Sequence, residues 1–121
     1  MPWTDVLADL KSRIEAACEA RFNSVLLNYY RDNRDSVGFH SDDESALGDR
    51  PIIASLSLGE ERDLVFKHKR ERLARLVRLT LESGSLLLMK GPTQQNWHHA
   101  IPKERRACGP RVNVTFRRIR M

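Results

Sequence analysis

The sequence predicts a mainly β protein with an N-terminal helix. Two observations lead to this class: one amphipathic stretch lies at the N-terminus, and several short apolar segments follow, separated by turn residues. A length of 121 residues is enough for one domain with a real core. Hydrophobic and charged fractions of 40% and 31% are typical of a globular chain. An all-β sandwich or barrel preceded by one helix is the arrangement that these segments favour.

The helix is predicted over residues 4–20, with Thr4 as its N-cap. Apolar residues recur there at helical spacing, so one face is expected to pack against a sheet; they are Leu7, Leu10, Ile14 and Ala17. Strands are predicted at residues 24–30, 52–58, 63–67, 76–81, 85–89 and 111–117. In the first of these, alternation puts Leu26, Asn28 and Tyr30 on one side.

The segments between the strands are rich in polar and turn-forming residues. Residues 31–50 are predicted to form a long loop, residues 70–72 a turn or short helical insert, and residues 91–93 a firm break. No internal repeat or low-complexity tract occurs. Residues 1–121 are therefore expected to form a single domain.

Charge and cysteine content indicate a class of partner and a cellular compartment for the protein. A net charge of +5 and a pI of about 9.7 mildly favour a polyanionic partner such as nucleic acid. Cys18 and Cys108 match no zinc motif, so they are predicted to be reduced thiols in an intracellular protein, cytoplasmic or nuclear. The first five residues do not resemble a signal peptide, and no apolar segment approaches membrane-spanning length. A soluble monomer is expected.

A split constellation of metal-binding residue types is the most informative motif. His40 and Asp42 are two residues apart, and two adjacent histidines, His98 and His99, lie far downstream. Two imidazoles and one carboxylate form the facial triad that holds Fe(II) and leaves coordination positions open. In an extended segment the adjacent histidines point in opposite directions, so only one of them can face the metal. The residues alone do not decide which.

The C-terminal run, residues 111–117, supplies a second chemical feature. At strand period two, one face is polar and the other is apolar; the polar face carries Arg111, Asn113, Thr115 and Arg117, and the apolar face Val112, Val114 and Phe116. Two arginines backed by an apolar face suit an internal pocket for a small dicarboxylate. Together with the triad, this face leads us to infer that the protein binds iron and 2-oxoglutarate.

Each of these signals has a simpler interpretation. Asp42 can cap a turn in the acidic stretch that continues with Asp43 and Glu44, and His68 is expected in a solvated loop. A zinc hydrolase using His40, Asp42 and a histidine is disfavoured because the arginine face would then have no purpose.

At this level of detail the chain resembles the AlkB family of Fe(II)/2-oxoglutarate-dependent nucleic-acid dioxygenases, most closely the vertebrate-type DNA repair branch. The resemblance runs from Pro2 almost to the C-terminus in collinear motifs. Those motifs are Asn28-Tyr29-Tyr30, residues 40–44, Ser57-Leu58-Gly59, residues 62–69, residues 84–89, residues 97–102 and residues 110–117.

The resemblance implies a double-stranded β-helix (jelly-roll) core and a role for each matching residue. His40, Asp42 and His99, rather than His98, correspond to the iron ligands. Residues expected to bind 2-oxoglutarate are Asn28 and Tyr30 through hydrogen bonds, Arg111 at the distal carboxylate, and Asn113, Thr115 and Arg117 nearer the metal-bound end. Fe(II), 2-oxoglutarate and O2 are therefore the implied cofactor and co-substrates.

The resemblance also implies a substrate. Asp43 and Glu44 correspond to carboxylates near the methylated base, and Arg62, Arg105 and Arg106 to basic residues against the nucleic-acid backbone, with solvated surface charge as the alternative. The expected partner is methylated DNA or RNA, single-stranded or with a flipped base. Oxidative demethylation would release succinate, CO2 and formaldehyde.

One departure from the family pattern is expected to affect the grip on the substrate. The family members have a nucleotide-recognition lid upstream of the segment that matches Pro2-Trp3, and this sequence begins after it. Weak or poorly selective base repair is therefore predicted. Two other functions remain open: a 2-oxoglutarate-dependent hydroxylase of a protein or small molecule, and a non-catalytic nucleic-acid-binding remnant of the family.

Overall fold

Two four-stranded antiparallel sheets face each other and form the body of the molecule. The computed structural model describes residues 4–71 and 73–119. The strands are β1 Ser24–Tyr30, β2 Val37–His40, β3 Ile53–Gly59, β4 Arg62–His68, β5 Val77–Leu81, β6 Leu86–Met89, β7 Trp97–Ile101 and β8 Arg111–Arg117. The first sheet has the order β1-β8-β3-β6 and the second β2-β7-β4-β5. Helix α1 spans Asp5–Cys18, and α2 is the single turn Thr93–Asn96.

Helix α1 covers the outer face of the first sheet. It begins where predicted, because the Oγ1 of Thr4 accepts a hydrogen bond from the amide of Leu7. Its end comes earlier than predicted, because Glu19 adopts a left-handed conformation with φ 53°. A cluster buried between helix and sheet consists of Ile14, Phe22, Ala54, Val114 and Phe116, with Leu7, Leu10 and Cys18 packed against it. Ala17, predicted on the packed face, is exposed, and Cys18 contributes instead.

A second cluster fills the space between the two sheets, and it is formed by Tyr30, Ile53, Leu64, Phe66, Leu81, Met89 and Ile101. Strand alternation explains the division. In β3, Ile53 points between the sheets whereas Ala54 points to the helix. The same alternation in β8 sends Val114 and Phe116 to the helix and leaves the polar residues of that strand facing the interior.

Two strands depart from the prediction. The predicted loop 31–50 contains β2, and β7 was not predicted at all. These two strands pair with each other, with His40 opposite His99, and β7 also pairs with β4. The predicted loop position of His68 is also wrong, because His68 is the last residue of β4. In the predicted turn at residues 70–72, Arg72 lies outside the described residues.

Gly59 fixes where β8 begins. Its φ of +98° is a conformation that side chains disfavour, and a Cβ on it would lie 2.5 Å from the carbonyl oxygen of Pro110. The backbones therefore approach closely, and the amide of Glu60 donates to the same oxygen at 3.0 Å. Gly59 is paired with Arg111, so this contact sets the depth at which the first arginine of β8 enters the interior.

Candidate metal centre and dicarboxylate pocket

Three side chains from distant segments meet at one end of the second sheet. Ligand atoms of His40, Asp42 and His99 all lie within 4.8 Å of one another. The Nε2 of His99 is 3.6 Å from an Oδ2 of Asp42, and the imidazole centroids are 4.4 Å apart. Two imidazoles and one carboxylate at this separation can hold one divalent first-row metal ion from one side.

Neighbouring groups orient two of these side chains. The Nδ1 of His40 is 2.8 Å from the carbonyl oxygen of Gly38. Because a carbonyl only accepts, Nδ1 must carry the proton, which leaves Nε2 free to bind a metal. The backbone amide of Asp42 donates to the Oε1 of Gln94 at 2.9 Å. Gln94 is buried, and its Nε2 is 3.5 Å from the Sδ of Met89.

The electrostatics of the cluster favour an ionised carboxylate. Burial alone would raise the pKa of Asp42, but the imidazole of His99 beside it, together with His40 and Arg117, outweighs that effect. The pKa of Asp42 therefore lies below its usual value. A metal ligand must be deprotonated, so this shift prepares Asp42 for metal binding.

The register of β7 separates the two adjacent histidines. His99 is 6% exposed and its ring packs against His40 and Phe66. His98 points to the opposite face of the sheet from His99, is paired with Lys67 of β4, and does not belong to the cluster. The Nδ1 of His99 is buried and has no hydrogen-bond partner within the described residues.

A pocket between the sheets opens beside the three ligand atoms. The residues of β1 and β8 that were predicted to bind a dicarboxylate all line it: Asn28, Tyr30, Arg111, Asn113, Thr115 and Arg117. His40, Asp42 and His99 line the same pocket. One cavity therefore contains both the ligand cluster and the arginine face.

Arg111 lines this pocket and is 2% exposed. Its Nη2 donates to the Oγ of Ser57 at 2.9 Å, and its Cζ is 5.0 Å from the ring centroid of Tyr30. Its Nε and Nη1 are buried and have no hydrogen-bond partner in the part of the chain that the structure describes. Burial lowers the pKa of Arg111, yet an arginine side chain stays protonated in proteins. A buried guanidinium with two free donors is suited to a carboxylate.

Asn113 and Thr115, two further polar residues of β8, are already engaged in hydrogen bonds. The Nδ2 of Asn113 donates to the Oγ of Ser55 at 2.6 Å, and the Oγ1 of Thr115 donates to the Oδ1 of Asn113 at 2.8 Å. Ser55 and Ser57 were not predicted as site residues. They alternate along β3 with Ala54 and Leu56, which pack towards the helix, so the two serines lie on the inward face of the strand. Ser55 lines the pocket, and the two serine hydroxyls accept hydrogen bonds from Asn113 and Arg111.

At the mouth of the pocket the two acidic residues after Asp42 are exposed. Glu44 has an Oε1 3.7 Å from the Nη1 of Arg117, and Asp43 has an Oδ2 3.7 Å from the Nζ of Lys69. Arg117 is otherwise largely buried, and its Nε has no partner within residues 4–71 and 73–119. Glu44 is thus the side chain that connects the acidic segment to the pocket.

The structure corrects the assignment of Arg62. This residue was predicted to contact a nucleic-acid backbone, but it is 1% exposed and its guanidinium donates to main-chain carbonyls. Alternation explains the error, because Arg62 shares the inward face of β4 with Leu64 and Phe66. Arg105 and Arg106 are exposed, as a backbone contact requires.

The residues present fit Fe(II) and 2-oxoglutarate. Nitrogen and carboxylate donors are suitable for Fe(II), and the three of them lie close enough together to hold one ion. A keto acid bound there could extend its second carboxylate to the unpartnered donors of Arg111.

Comparisons with known proteins agree with this geometry. A family model described as the 2OG-Fe(II) oxygenase superfamily matches residues 1–117. The solved structure of OsALKBH1 superposes with a TM-score of 0.68 at 19% identity, over 96% of this chain and 64% of that one. The predicted jelly-roll class is therefore confirmed.

Curated relatives are closer in sequence. Alpha-ketoglutarate-dependent dioxygenase alkB homolog 3 of Mus musculus is 46% identical over 124 residues, covering 97% of this chain and 43% of that protein. DNA oxidative demethylase ALKBH2 of Homo sapiens is 42% identical over 124 residues, covering 98% of this chain and 48% of that protein. The chain thus spans about half the length of the curated relatives that it matches.

The chain belongs to the 2OG-Fe(II) oxygenase superfamily and, within it, to the AlkB family. The resemblance found in the motifs is confirmed, and Fe(II), 2-oxoglutarate and O2 are the cofactor and co-substrates of this class. No described helix has the length and apolar character needed to cross a membrane.

Proposed function

We propose that this chain catalyses the oxidative demethylation of N-alkylated bases in nucleic acid, with DNA as the first candidate and RNA as the second. One observation carries the proposal: the His40, Asp42 and His99 cluster opens into the same pocket as the unpartnered donors of Arg111. When bound, Fe(II) and 2-oxoglutarate supply the O2 activation that oxidises the methyl group, with release of succinate, CO2 and formaldehyde.

Each residue of the cluster has a defined task in this proposal. His40, Asp42 and His99 hold the metal, and the proton on Nδ1 of His40 keeps its other nitrogen directed at the ion. The low pKa of Asp42 keeps its oxygen available without competition from a proton. The protein contributes geometry and orientation here, and no titratable nucleophile is required.

The pocket residues orient the co-substrate. Arg111 binds the distal carboxylate through its two free donors, while Tyr30 and Asn28 contact it from β1. Arg117 is assigned to the metal-proximal end, because it lines the same pocket as Asp42 and its Nη1 lies 3.7 Å from the Oε1 of Glu44, two residues after Asp42. Burial raises the pKa of Tyr30, so its hydroxyl remains a hydrogen-bond donor at neutral pH.

Exposed residues near the mouth would contact the nucleic acid. Asp43 and Glu44 follow directly after Asp42, so a base that approaches the metal passes them. Arg105 and Arg106 are exposed and can neutralise phosphates. A relative named DNA oxidative demethylase supports DNA as the substrate. A monomer in the cytoplasm or nucleus fits this function and the two free cysteines.

The test is a panel of single- and double-stranded oligonucleotides that carry N-methylated bases, scored for formaldehyde and succinate. We expect formaldehyde release by the native chain and none by His99→Ala. Succinate without formaldehyde on every oligonucleotide would indicate a hydroxylase with a different substrate. Binding without any 2-oxoglutarate consumption would indicate a non-catalytic module.

Salt dependence tests the two backbone arginines. In a double variant, Arg105→Gln with Arg106→Gln, the slope of log affinity against log salt should fall by roughly 0.7–0.9 for each lost phosphate contact. An unchanged slope would show that both side chains are only solvated charge.

A further inference from the structure

Arg62 is a buried cation that the proposed metal and 2-oxoglutarate contacts do not use. Its guanidinium donates to the carbonyl oxygens of Asp32, Asp35 and Pro102 at 3.2, 2.8 and 2.7 Å. All three acceptors are neutral. Its Nε is buried and has no partner among the described residues.

The three carbonyls belong to segments that flank His40 and His99, two of the proposed metal ligands. Asp32 and Asp35 lie in the connection from β1 to β2, and β2 ends at His40. Pro102 directly follows β7, which carries His99. The hydrogen bonds of Arg62 therefore link the segment that precedes His40 to the segment that follows His99.

The charge of Arg62 is not neutralised by a carboxylate in the part of the chain that the structure describes. The carboxylates of Asp32 and Asp35 pair instead with Arg34 and Arg31, at 3.1 and 2.9 Å. Burying a charge without a counter-ion is costly, and a guanidinium cannot escape this by losing its proton. Buried charges in proteins are as a rule paired, so a bound anion would complete this arrangement.

Arg62 also lies near Arg111. The Cζ of Arg62 is 5.6 Å from the ring centroid of Tyr30, and the Cζ of Arg111 is 5.0 Å from the same centroid. The positive charge of Arg62 acts on its neighbour, because it contributes to the lowered pKa of Arg111. Two buried cations therefore lie against one tyrosine, Tyr30, which lines the pocket.

We propose that Arg62 is a positioning residue that makes the pocket selective for a dianion. It fixes the backbone around the metal cluster through three carbonyls, and its unneutralised charge adds to that of Arg111 where the second carboxylate binds. A keto acid with one carboxylate gains little from this second charge. The inference rests on the proposed function, since the pocket must bind 2-oxoglutarate for the selectivity to exist.

The experiment compares two ligands that differ in one carboxylate: 2-oxoglutarate and 2-oxopentanoate. Dissociation constants are measured by anaerobic titration of the Mn(II)-loaded protein, so the readout does not depend on turnover. The variants are Arg62→Gln, which removes the charge, and Arg62→Lys, which keeps it. Arg78→Gln is the matched control, because Arg78 is exposed and paired with Asp63 on the neighbouring strands.

For Arg62→Gln we expect about tenfold weaker binding of 2-oxoglutarate and less than about threefold weaker binding of 2-oxopentanoate. Arg62→Lys should keep the native ratio of the two constants within about threefold even if both ligands bind more weakly. Arg78→Gln should match the native protein. Equal losses for both ligands in Arg62→Gln would mean a purely structural role and would overturn the proposal.

If Arg62→Gln does not fold, as judged by circular dichroism, the ratio in Arg62→Lys decides the matter, and a collapsed ratio overturns the proposal. Failure of both variants to fold would show that Arg62 acts only as a structural pin, which also overturns it. Failure of the native protein to bind 2-oxoglutarate would instead contradict the proposed function.

Discussion

Replacing Arg111 by methionine should separate ligand binding from stability. The change removes a guanidinium that is 2% exposed and replaces it with an apolar side chain of similar length. The perturbation is well defined: among the described residues, the guanidinium loses the 2.9 Å hydrogen bond to the Oγ of Ser57 and its contact with Tyr30.

The cost to ligand binding follows from two donors. The Nε and Nη1 of Arg111 have no protein partner in the described residues, so both are free for a carboxylate. Truncating one partner of a buried, hydrogen-bonded charge pair costs about 2–5 kcal/mol. The dissociation constant of 2-oxoglutarate should therefore rise by about 30-fold to several thousand-fold.

Without ligand, the variant should have the same free energy of unfolding as the native protein or a higher one. A buried donor without a partner costs about 1–3 kcal/mol, and the variant removes two such donors. Loss of the Ser57 hydrogen bond and of the Tyr30 ring contact offsets part of this gain. We expect a stability change between zero and about +3 kcal/mol, or about 4 °C in melting temperature for each kcal/mol.

The assay is calorimetric titration with 2-oxoglutarate in the Mn(II)-loaded protein, together with thermal unfolding of the metal-free protein. Arg78→Met is the control, since it removes an exposed arginine and should leave both measurements unchanged. Unchanged affinity in Arg111→Met would refute the reasoning about the pocket. A stability loss above about 2 kcal/mol would refute the reasoning about unpaired donors.

Three further outcomes are expected. His99→Ala should abolish metal retention, measured by metal analysis, whereas His98→Ala should retain it; the reverse would contradict the ligand assignment. Gln94→Leu should lower metal affinity about 10–100-fold, because the amide of Asp42 loses its acceptor; unchanged affinity would show that this contact is idle. Glu15→Gln should reduce sensitivity to acid. The amide of Phe22 donates to Glu15, whose pKa lies below its ordinary 4.5, so its stabilisation is complete above that pH and is lost as pH falls through the lowered value. Identical unfolding curves for both proteins from pH 5 to pH 2 would contradict this.

Sequence periodicity correctly predicted which side chains share one face of a strand. The alternation in β8 identified the polar interior face and the apolar helix face, and the same rule grouped Asn28 with Tyr30. These assignments succeed because side-chain direction in a strand depends only on local spacing. The helix was found for the same reason, with its N-cap at Thr4.

The missed strands depend on contacts between distant segments. Val37–His40 contains a glycine and lies in polar surroundings, so its local signal is that of a loop, and pairing with β7 makes it a strand. The choice between His98 and His99 has the same origin. Only the register that places His99 opposite His40 decides it, and register is not readable from one segment.

Two buried residues illustrate different failures. The correct position of Arg62 was readable, because extending the alternation of Leu64 and Phe66 by two residues brings Arg62 to the inward face. Its charge suggested a surface position instead. Gln94 carried no comparable signal, since its role depends on a single turn, α2, that brings it against the amide of Asp42.

The central claim is that one cavity joins a ferrous site of three protein ligands to a guanidinium that binds a keto-diacid. Anaerobic absorption spectroscopy tests it directly, by adding Fe(II) and then 2-oxoglutarate to the metal-free protein. We predict a visible charge-transfer band that requires both additions and is lost in His99→Ala and strongly weakened in Arg111→Met. A native protein that develops no such band at saturating Fe(II) and 2-oxoglutarate would contradict the account.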